Sequence, residues 1–283
     1  MRVASNRDEV LDRPAQPAHV WEEEDGGDND ENNHNNETPQ RLYAGKDLTG
    51  GGSWLAVSSN GKFAALTNFH SERDSGHTFP KSRGHIVIEF CRSQLSPKEF
   101  AKTLEAETEE YGGFSAFLFD GTEMICCSNR DPKQFARELA PGIYGLSNHL
   151  LDTSWVKVLK SKEAMQSISS SENILSHEDV CKVMMAKFEE TRPANKNSAE
   201  DDMGTIMEES FRAEVQEALF VRIPAKNYGT RTTTIVTFDE KHGFEVTEKN
   251  HKTPHAEPSL TYQQIQIKEG SSKMSVTEGV LSK

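Results

Sequence analysis

Asn6, Arg7, Asp8 and Glu9 place an amide, a guanidinium and two carboxylates on consecutive residues. Held at the lip of a sheet, such groups orient a carbonyl or stabilise developing negative charge. Val3 and Ala4 read as the end of a strand, so the cluster is expected where that strand opens into a turn. The alternative is a solvated turn, because a local motif alone rarely settles function. Comparable clusters recur at the ends of predicted strands, at Thr67-Asn68, Ser147-Asn148 and Thr230-Arg231-Thr232. A site built at one edge of a sandwich has this pattern, with Asn as oxyanion donor and Arg–Asp pairs fixing geometry. Asn at strand ends also makes simple turns.

The elements that would position these groups follow from patterning. Trp54 to Val57 and Lys62 to Thr67 read as a hairpin around Asn60-Gly61. Phe114 to Phe119 and Glu123 to Cys127 read as a second one around Asp120-Gly121. Gly142 to Leu146, Ala218 to Ile223, Arg231 to Phe238, Gly243 to Thr247 and Leu260 to Ile267 read as further strands. Helices are expected from Arg83 to Phe90, from the capping box Ser96-Pro97-Lys98-Glu99 to about Glu110, from Trp155 to about Met165, and after Ser176. Strands and helices come in blocks without strict alternation, which argues against a doubly wound parallel sheet. The expected fold is α+β, a four-layer α/β/β/α sandwich of two mostly antiparallel sheets. A single domain is expected over residues 1–270. It would carry a disordered acidic insertion at 22–40, a charged linker at 191–212 and a flexible tail at 271–283.

Composition narrows the function classes. The 283-residue chain has a formal net charge of −13, which disfavours general affinity for nucleic acid or anionic membrane. Glu22 to Glu37 holds eight acidic residues and no Lys or Arg, without a calcium-loop pattern. No apolar run approaches the roughly 20 residues of a membrane helix, and no secretory signal is visible. Cys91, Cys126, Cys127 and Cys181 lack metal or redox spacing and read as buried free thiols of a reducing compartment. No metal site is expected, and the protein reads as cytoplasmic.

Several blocks resemble one family. Asn6-Arg7-Asp8-Glu9 with Arg13-Pro14, Gly51-Gly52-Ser53-Trp54-Leu55, Ala64-Ala65-Leu66-Thr67-Asn68-Phe69 and Ser82-Arg83-Gly84 are similar to the NRDE family, also called Transport and Golgi organisation protein 2. So are Tyr144-Gly145-Leu146-Ser147-Asn148, Leu151-Asp152-Thr153-Ser154-Trp155 and Tyr228-Gly229-Thr230-Arg231. The blocks occur in family order over roughly residues 3–250.

The resemblance implies a fold like that of N-terminal-nucleophile hydrolases, in which the first residue's side chain attacks a carbonyl and its own α-amine takes the proton. Family members typically start Met-Cys, followed by an apolar first strand. This sequence starts Met1-Arg2-Val3-Ala4, already inside the strand before the motif. The expectation is a chain lacking its first strand, truncated at its start and non-catalytic as given, with a sheet edge or gap beside Arg2 to Ser5. The alternative is a cysteine-type amide or thioester hydrolase whose nucleophile lies outside it. By analogy Arg7 would tune the nucleophile, Asp8 would orient the α-amine, Asn68 and Asn148 would contact the oxyanion or substrate amide, and Arg231 would anchor the site. The structural alternative has Arg7 paired with Asp8, and Asn68 and Asn148 forming turns.

The family further implies roles in Golgi organisation and protein secretion, in lipid and mitochondrial homeostasis, and in haem trafficking, with association to Golgi or mitochondria. Haem or a lipid-linked molecule is the implied small-molecule ligand. A Cys-x-x-Cys-His attachment motif is absent. His70, His77, His85 and His149 lie near the motif blocks as candidate iron ligands.

Overall fold

Alternation of apolar residues on β5 (Phe63–Asn68) and β6 (Phe114–Phe119) sets the layering. Phe63, Ala65, Phe117 and Phe119 point into one hydrophobic cluster, while Ala64, Leu66, Ala116 and Leu118 point into another. This is the period-2 signature of a strand buried on both faces. In a computed structural model, which describes residues 1–21, 41–69, 74, 76–171, 175–190, 215–251, 253 and 257–265, these strands belong to a seven-stranded sheet. Its order is β2 (Ala15–Trp21), β3 (Leu42–Asp47), β4 (Leu55–Ser58), β5, β6, β7 (Met124–Ser128) and β8 (Ala136–Glu138). The second sheet runs β1 (Arg2–Val10), β10 (Tyr228–Asp239), β11 (Gly243–Asn250) and β12 (Ser259–Ile265), with the short β9 (Arg222–Ile223) also paired to β10. The pairings in both sheets are antiparallel.

Three cores separate four layers. Phe63, Phe119, Val57, Val236, Phe244 and Ile265 fill the space between the sheets. Helices α1 (Gly84–Arg92) and α2 (Pro97–Glu105) cover the outer face of the seven-stranded sheet through Ile86, Phe90, Phe100 and Leu104. Helices α3 (Val156–Ser169) and α4 (His177–Phe188) cover the other sheet by packing Ile168, Val180 and Met184 against Ile235 of β10. The α/β/β/α sandwich of two antiparallel sheets is therefore the observed architecture.

Both expected helix caps form. Ser96 Oγ accepts from the Glu99 amide and Glu99 Oε2 accepts from the Ser96 amide at 2.9 Å, and Ser176 and Asp179 do the same for α4. Helix α2 stops at Glu105, short of the expected Glu110, and Thr108–Glu110 forms a separate 3-10 turn. Glu105, Glu107, Glu109 and Glu110 crowd negative charge at a helix C-terminus, the end where it is disfavoured. Residues 142–146 do not form the expected strand. There the Gly145 amide donates to Asp152 Oδ1 at 2.8 Å, and the segment lies as an irregular wall. Of 218–223 only Arg222–Ile223 is strand. Patterning does not reveal β2, whose Pro17 sits within a register shift of an edge strand, nor β3 or β8. The acidic 22–40 insertion, the 191–212 linker and the 271–283 tail lie outside the described residues.

Candidate functional site

The Asn6–Glu9 cluster does not follow a strand; it lies inside β1, which continues to Val10. The reason is the length of β10, which pairs with β1 from Arg2 through Val10, with a bulge between Arg7 and Asp8. Thr230-Arg231-Thr232 likewise lies inside β10 and not at its end. The bulge brings two of the predicted clusters into register, Arg7 opposite Thr232 and Asp8 opposite Thr230. The other two clusters also meet. Thr67 Oγ1 donates to the Ser147 carbonyl at 2.7 Å, and Asn148 Nδ2 donates to the Asn68 carbonyl at 3.1 Å.

Arg7, Asp8, Thr67, Asn68, Ser147 and Asn148 line one cavity of about 1080 Å³ beside β1, whereas Thr230 and Thr232 do not; the volume is at the upper end of the roughly 300–1,000 Å³ usual for ligand sites. Asn6, Arg7, Asp8, Asn68 and Asn148 contribute to its wall, and Arg231 does not. An Arg231 Nη donates instead to the Val10 and Arg13 carbonyls, clamping the turn after β1. Apolar wall area comes from Phe117, Phe119, Met165, Met184 and Phe188.

Each polar side chain has a different degree of commitment. Asn6 is fully used. Its Nδ2 donates to the carbonyls of Phe188 at 2.9 Å and Leu219 at 2.7 Å, and its Oδ1 accepts from Thr233 at 2.6 Å. Asn6→Ala is expected to cost about 2–3 kcal/mol of stability by orphaning those groups, as read by urea denaturation. Asp8 does not pair with Arg7; it accepts from Thr230 Oγ1 at 2.7 Å and faces Lys157 Nζ at 3.8 Å. Burial pushes the Asp8 carboxyl up and the Lys157 ammonium down, and each charge partly offsets the other's shift.

Arg7 is 9% exposed and stacks over Trp54 at 4.1 Å. Among the described residues, its Nη1 and the hydroxyl of its register partner Thr232 are buried without a hydrogen-bond partner. Burial pulls the Arg7 guanidinium below its ordinary value while Glu9 opposes that shift; an arginine remains charged at neutral pH.

Sequence reasoning missed Trp54 and Lys157 as wall residues. Lys157 had no signal in the sequence, because its burial reverses the usual pattern. It is 8% exposed in α3 while its neighbours Val156 and Leu159 are 43% and 56% exposed, an inversion of ordinary helix amphipathicity.

Arg13 and Asp47 brace the rim. Arg13 donates to Asp47 through Nε and Nη2, at 3.0 and 2.8 Å, and the Thr49 amide donates to Asp47 at 3.0 Å. Burial would raise the Asp47 carboxyl, but these hydrogen bonds hold it below the ordinary value. A depressed carboxylate stabilises the fold above its unfolded value near pH 4 and loses that contribution as pH falls through the folded value. Asp47→Asn is expected to cost about 1 kcal/mol at pH 7, discounted for the partly exposed Arg13. The difference from the unsubstituted chain should shrink toward zero by pH 2–3 in denaturation curves.

The four thiols are remote from this chemistry. None lines the cavity, and desolvation raises all four, Cys91 and Cys126 to about 12 and Cys181 to about 11. They are protonated and poorly nucleophilic. Of the candidate iron ligands, His77, His85 and His149 are absent from the cavity wall, and His149 bonds Thr153 Oγ1 at 3.0 Å. His70 lies outside the described residues.

The family model for Transport and Golgi organisation 2 matches residues 2–253. The chain belongs to that family. It is 29% identical over 255 residues to the Transport and Golgi organization protein 2 homolog of Bos taurus, covering 88% of this chain and 85% of the relative. The Mus musculus and Homo sapiens homologs are each 28% identical, over 257 and 256 residues, with the same coverage. Against this Transport and Golgi organisation 2 background, the cavity joins five of the motif blocks, at Arg7, Trp54, Asn68, Arg83 and Asn148. No helix among the described residues is long and apolar enough to cross a membrane.

Proposed function

We propose that this member of the Transport and Golgi organisation 2 family is a non-catalytic factor that holds an amphipathic acid in the cavity beside β1. The observation that carries the reading is Arg7, a cavity-lining residue whose buried Nη1 has no hydrogen-bond partner among the described residues, as is also true of the buried hydroxyl of its register partner Thr232. A buried guanidinium with an unused donor is matched by a carboxylate or phosphate oxygen. The printed names of the relatives support a role in transport and Golgi organisation, and the resemblance adds protein secretion. The resemblance supplies the ligand candidates. Haem offers two propionates and an apolar macrocycle, and a lipid-linked acid offers one head group and a chain. These tie the cavity to haem or to lipid and mitochondrial homeostasis, in a cytoplasmic protein associated with Golgi or mitochondria. Haem held there would lean on its propionates and on the thioethers Met165 and Met184, since His77, His85 and His149 lie elsewhere. Titration with haemin and with palmitate tests the reading. A saturable signal for either that Arg7→Met weakens supports it; saturation by neither, or equal binding to the variant, refutes it.

A second reading is favoured by the convergence of Arg7, Asp8, Asn68 and Asn148 on one cavity, four of the five residues that the resemblance assigns to a cysteine-type N-terminal-nucleophile amide or thioester hydrolase, Arg231 being the one left out. A version with a Met-Cys strand added ahead of Met1 tests it. Arg7-dependent hydrolysis of an acyl thioester would support an enzyme, and inert behaviour would leave the binding reading.

A further inference from the structure

The first residue of α4 anchors that helix to the five-stranded sheet. His177 is buried and stands over two strands, with Nδ1 2.8 Å from Thr237 Oγ1 of β10 and Nε2 2.8 Å from Thr247 Oγ1 of β11. Cys181, one turn on, brings its Sγ to 3.3 Å from the same Nε2. A neutral imidazole offers one donor and one acceptor, and this cluster fits it. Nδ1–H donates to Thr237, and Nε2 accepts where the Thr247 hydroxyl and the Cys181 thiol converge. A proton on Nε2 would set one more donor against that meeting of donors. The other end of α4 is held by Asn6 Nδ2, which donates to the Phe188 carbonyl at 2.9 Å, a bond without a titratable group.

The surroundings also favour the uncharged ring. His177 opens a helix capped by Ser176, and the positive end of the helix dipole repels a cation. The opposing charge is Glu245 of β11, to which the Tyr262 hydroxyl of β12 already donates at 2.8 Å; the Tyr262 ring lies 5.8 Å from the imidazole. The first-turn carboxylates of α4 are committed, Asp179 to Ser176 and Glu178 to Lys182 at 2.9 Å. On β10, Asp239 bonds His242, and β1 places the cationic Arg2 opposite Thr237. Residues 164–169 of α3, whose Ala164 and Ile168 share a core with α4, are uncharged. Burial pulls the His177 imidazolium below its ordinary value, and Glu245 opposes that shift.

We infer that His177 is a pH-sensitive latch: it holds the first turns of α4 on the sheet near neutrality and releases them on acidification, while the Phe188 end stays in place. A released ring is solvated and takes a proton near the ordinary histidine value of about 6.5, whereas the docked ring resists it. The latch is therefore fully engaged above that value. Below it the docked state loses ground about tenfold per pH unit, until the docked ring itself titrates. Met184, a cavity-wall residue, lies in the part released, so acid loosens that wall from the helix side. The latch does not depend on what the cavity holds.

Hydrogen exchange of the full chain between about pH 7.5 and about pH 5.5, corrected for the intrinsic rate at each pH, tests the latch. Amides from Val180 to Met184 are expected to lose protection about tenfold per pH unit below about 6.5, while those of β5 and β6 keep theirs. His177→Gln keeps a donor and an acceptor but does not titrate, and should make the α4 response flat. His251, a half-buried imidazole on the same sheet, lies 2.9 Å from Thr233 Oγ1; His251→Gln should leave the response as it is. Where His177→Gln exposes α4 at every pH, the ring titration of His177 in the unsubstituted chain, followed by NMR, takes its place. A midpoint below about 6.5 that coincides with the loss of α4 protection supports the latch, and a midpoint at or above it overturns the latch. Constant α4 protection across the range, or an equal loss in β5 and β6, would also overturn it. So would a loss that persists in a folded His177→Gln, or one that His251→Gln abolishes.

Discussion

Replacing Arg7 with methionine is expected to weaken binding of an acidic ligand about 100-fold while leaving the unliganded fold at least as stable as before. The two effects have one cause. A charge-assisted hydrogen bond in a site shielded from water contributes about 1.5–3 kcal/mol, and 2.7 kcal/mol corresponds to roughly 100-fold in Kd. In the free protein the same guanidinium is 9% exposed, with a buried Nη1 that lacks a partner among the described residues. Its compensation is the stack on Trp54 at 4.1 Å, and a methionine thioether also packs against an indole. Removing a desolvated, incompletely bonded charge is often neutral or stabilising. A residue placed for stability would behave in the opposite way. Parallel ligand titrations and thermal unfolding of both proteins check both halves.

Gly52→Ala is expected to be the most damaging small substitution, costing about 3 kcal/mol or more by overpacking. A Cβ at Gly52 would lie 2.3 Å from the Gly84 carbonyl carbon and 2.5 Å from its oxygen. Both obstacles are backbone, and neither can rotate away. The contact fixes the start of α1 against the seven-stranded sheet, where the Ser53 amide donates to the Gly84 carbonyl at 3.1 Å. Moving α1 would drag Arg83 and Trp54, both in the cavity wall. Gly84→Ala is the control. Its Cβ would meet Ser53 N at 3.0 Å and Gly52 at 3.2 Å, and at the head of a helix alanine regains up to about 1 kcal/mol of propensity. Guanidinium denaturation should therefore rank Gly52→Ala far below Gly84→Ala, and both below the unsubstituted chain.

These glycines show what patterning can and cannot reach. The Gly51-Gly52-Ser53-Trp54 and Ser82-Arg83-Gly84 blocks were visible as motifs, but their meeting across about 30 residues is a tertiary fact. Four layers were legible because β5, β6 and the capped helices α2 and α4 carry strong local signals. Strand β2 was hidden because Pro17 and the bulge beside it break the alternation. The residues 142–146 misled because their β-like composition is overridden by the Asp152–Gly145 hydrogen bond.

The site was legible in part. Asn6, Arg7, Asp8, Asn68 and Asn148 share a cavity, yet their commitments were unreadable. Asn6 is a fully bonded staple, while Arg7 has a buried donor without a partner among the described residues. Arg231 clamps a turn because it is the extra residue of the bulge, without a register partner on β1, and its guanidinium bonds the Val10 and Arg13 carbonyls. Asp8 has Lys157 for its partner, brought from a helix about 150 residues away, which no local reading of the motif supplies.

The most direct measurement is the guanidinium NMR spectrum of Arg7, assigned by loss of its signal in Arg7→Lys, during titration with palmitate and haemin. Arg231, whose Nη is committed to the Val10 and Arg13 carbonyls, serves as the internal reference. Recognition of an acid at Arg7 predicts a saturable shift of the Arg7 resonance with Arg231 unmoved. An unchanged Arg7 signal at ligand saturation, or the same affinity in Arg7→Met, would contradict it.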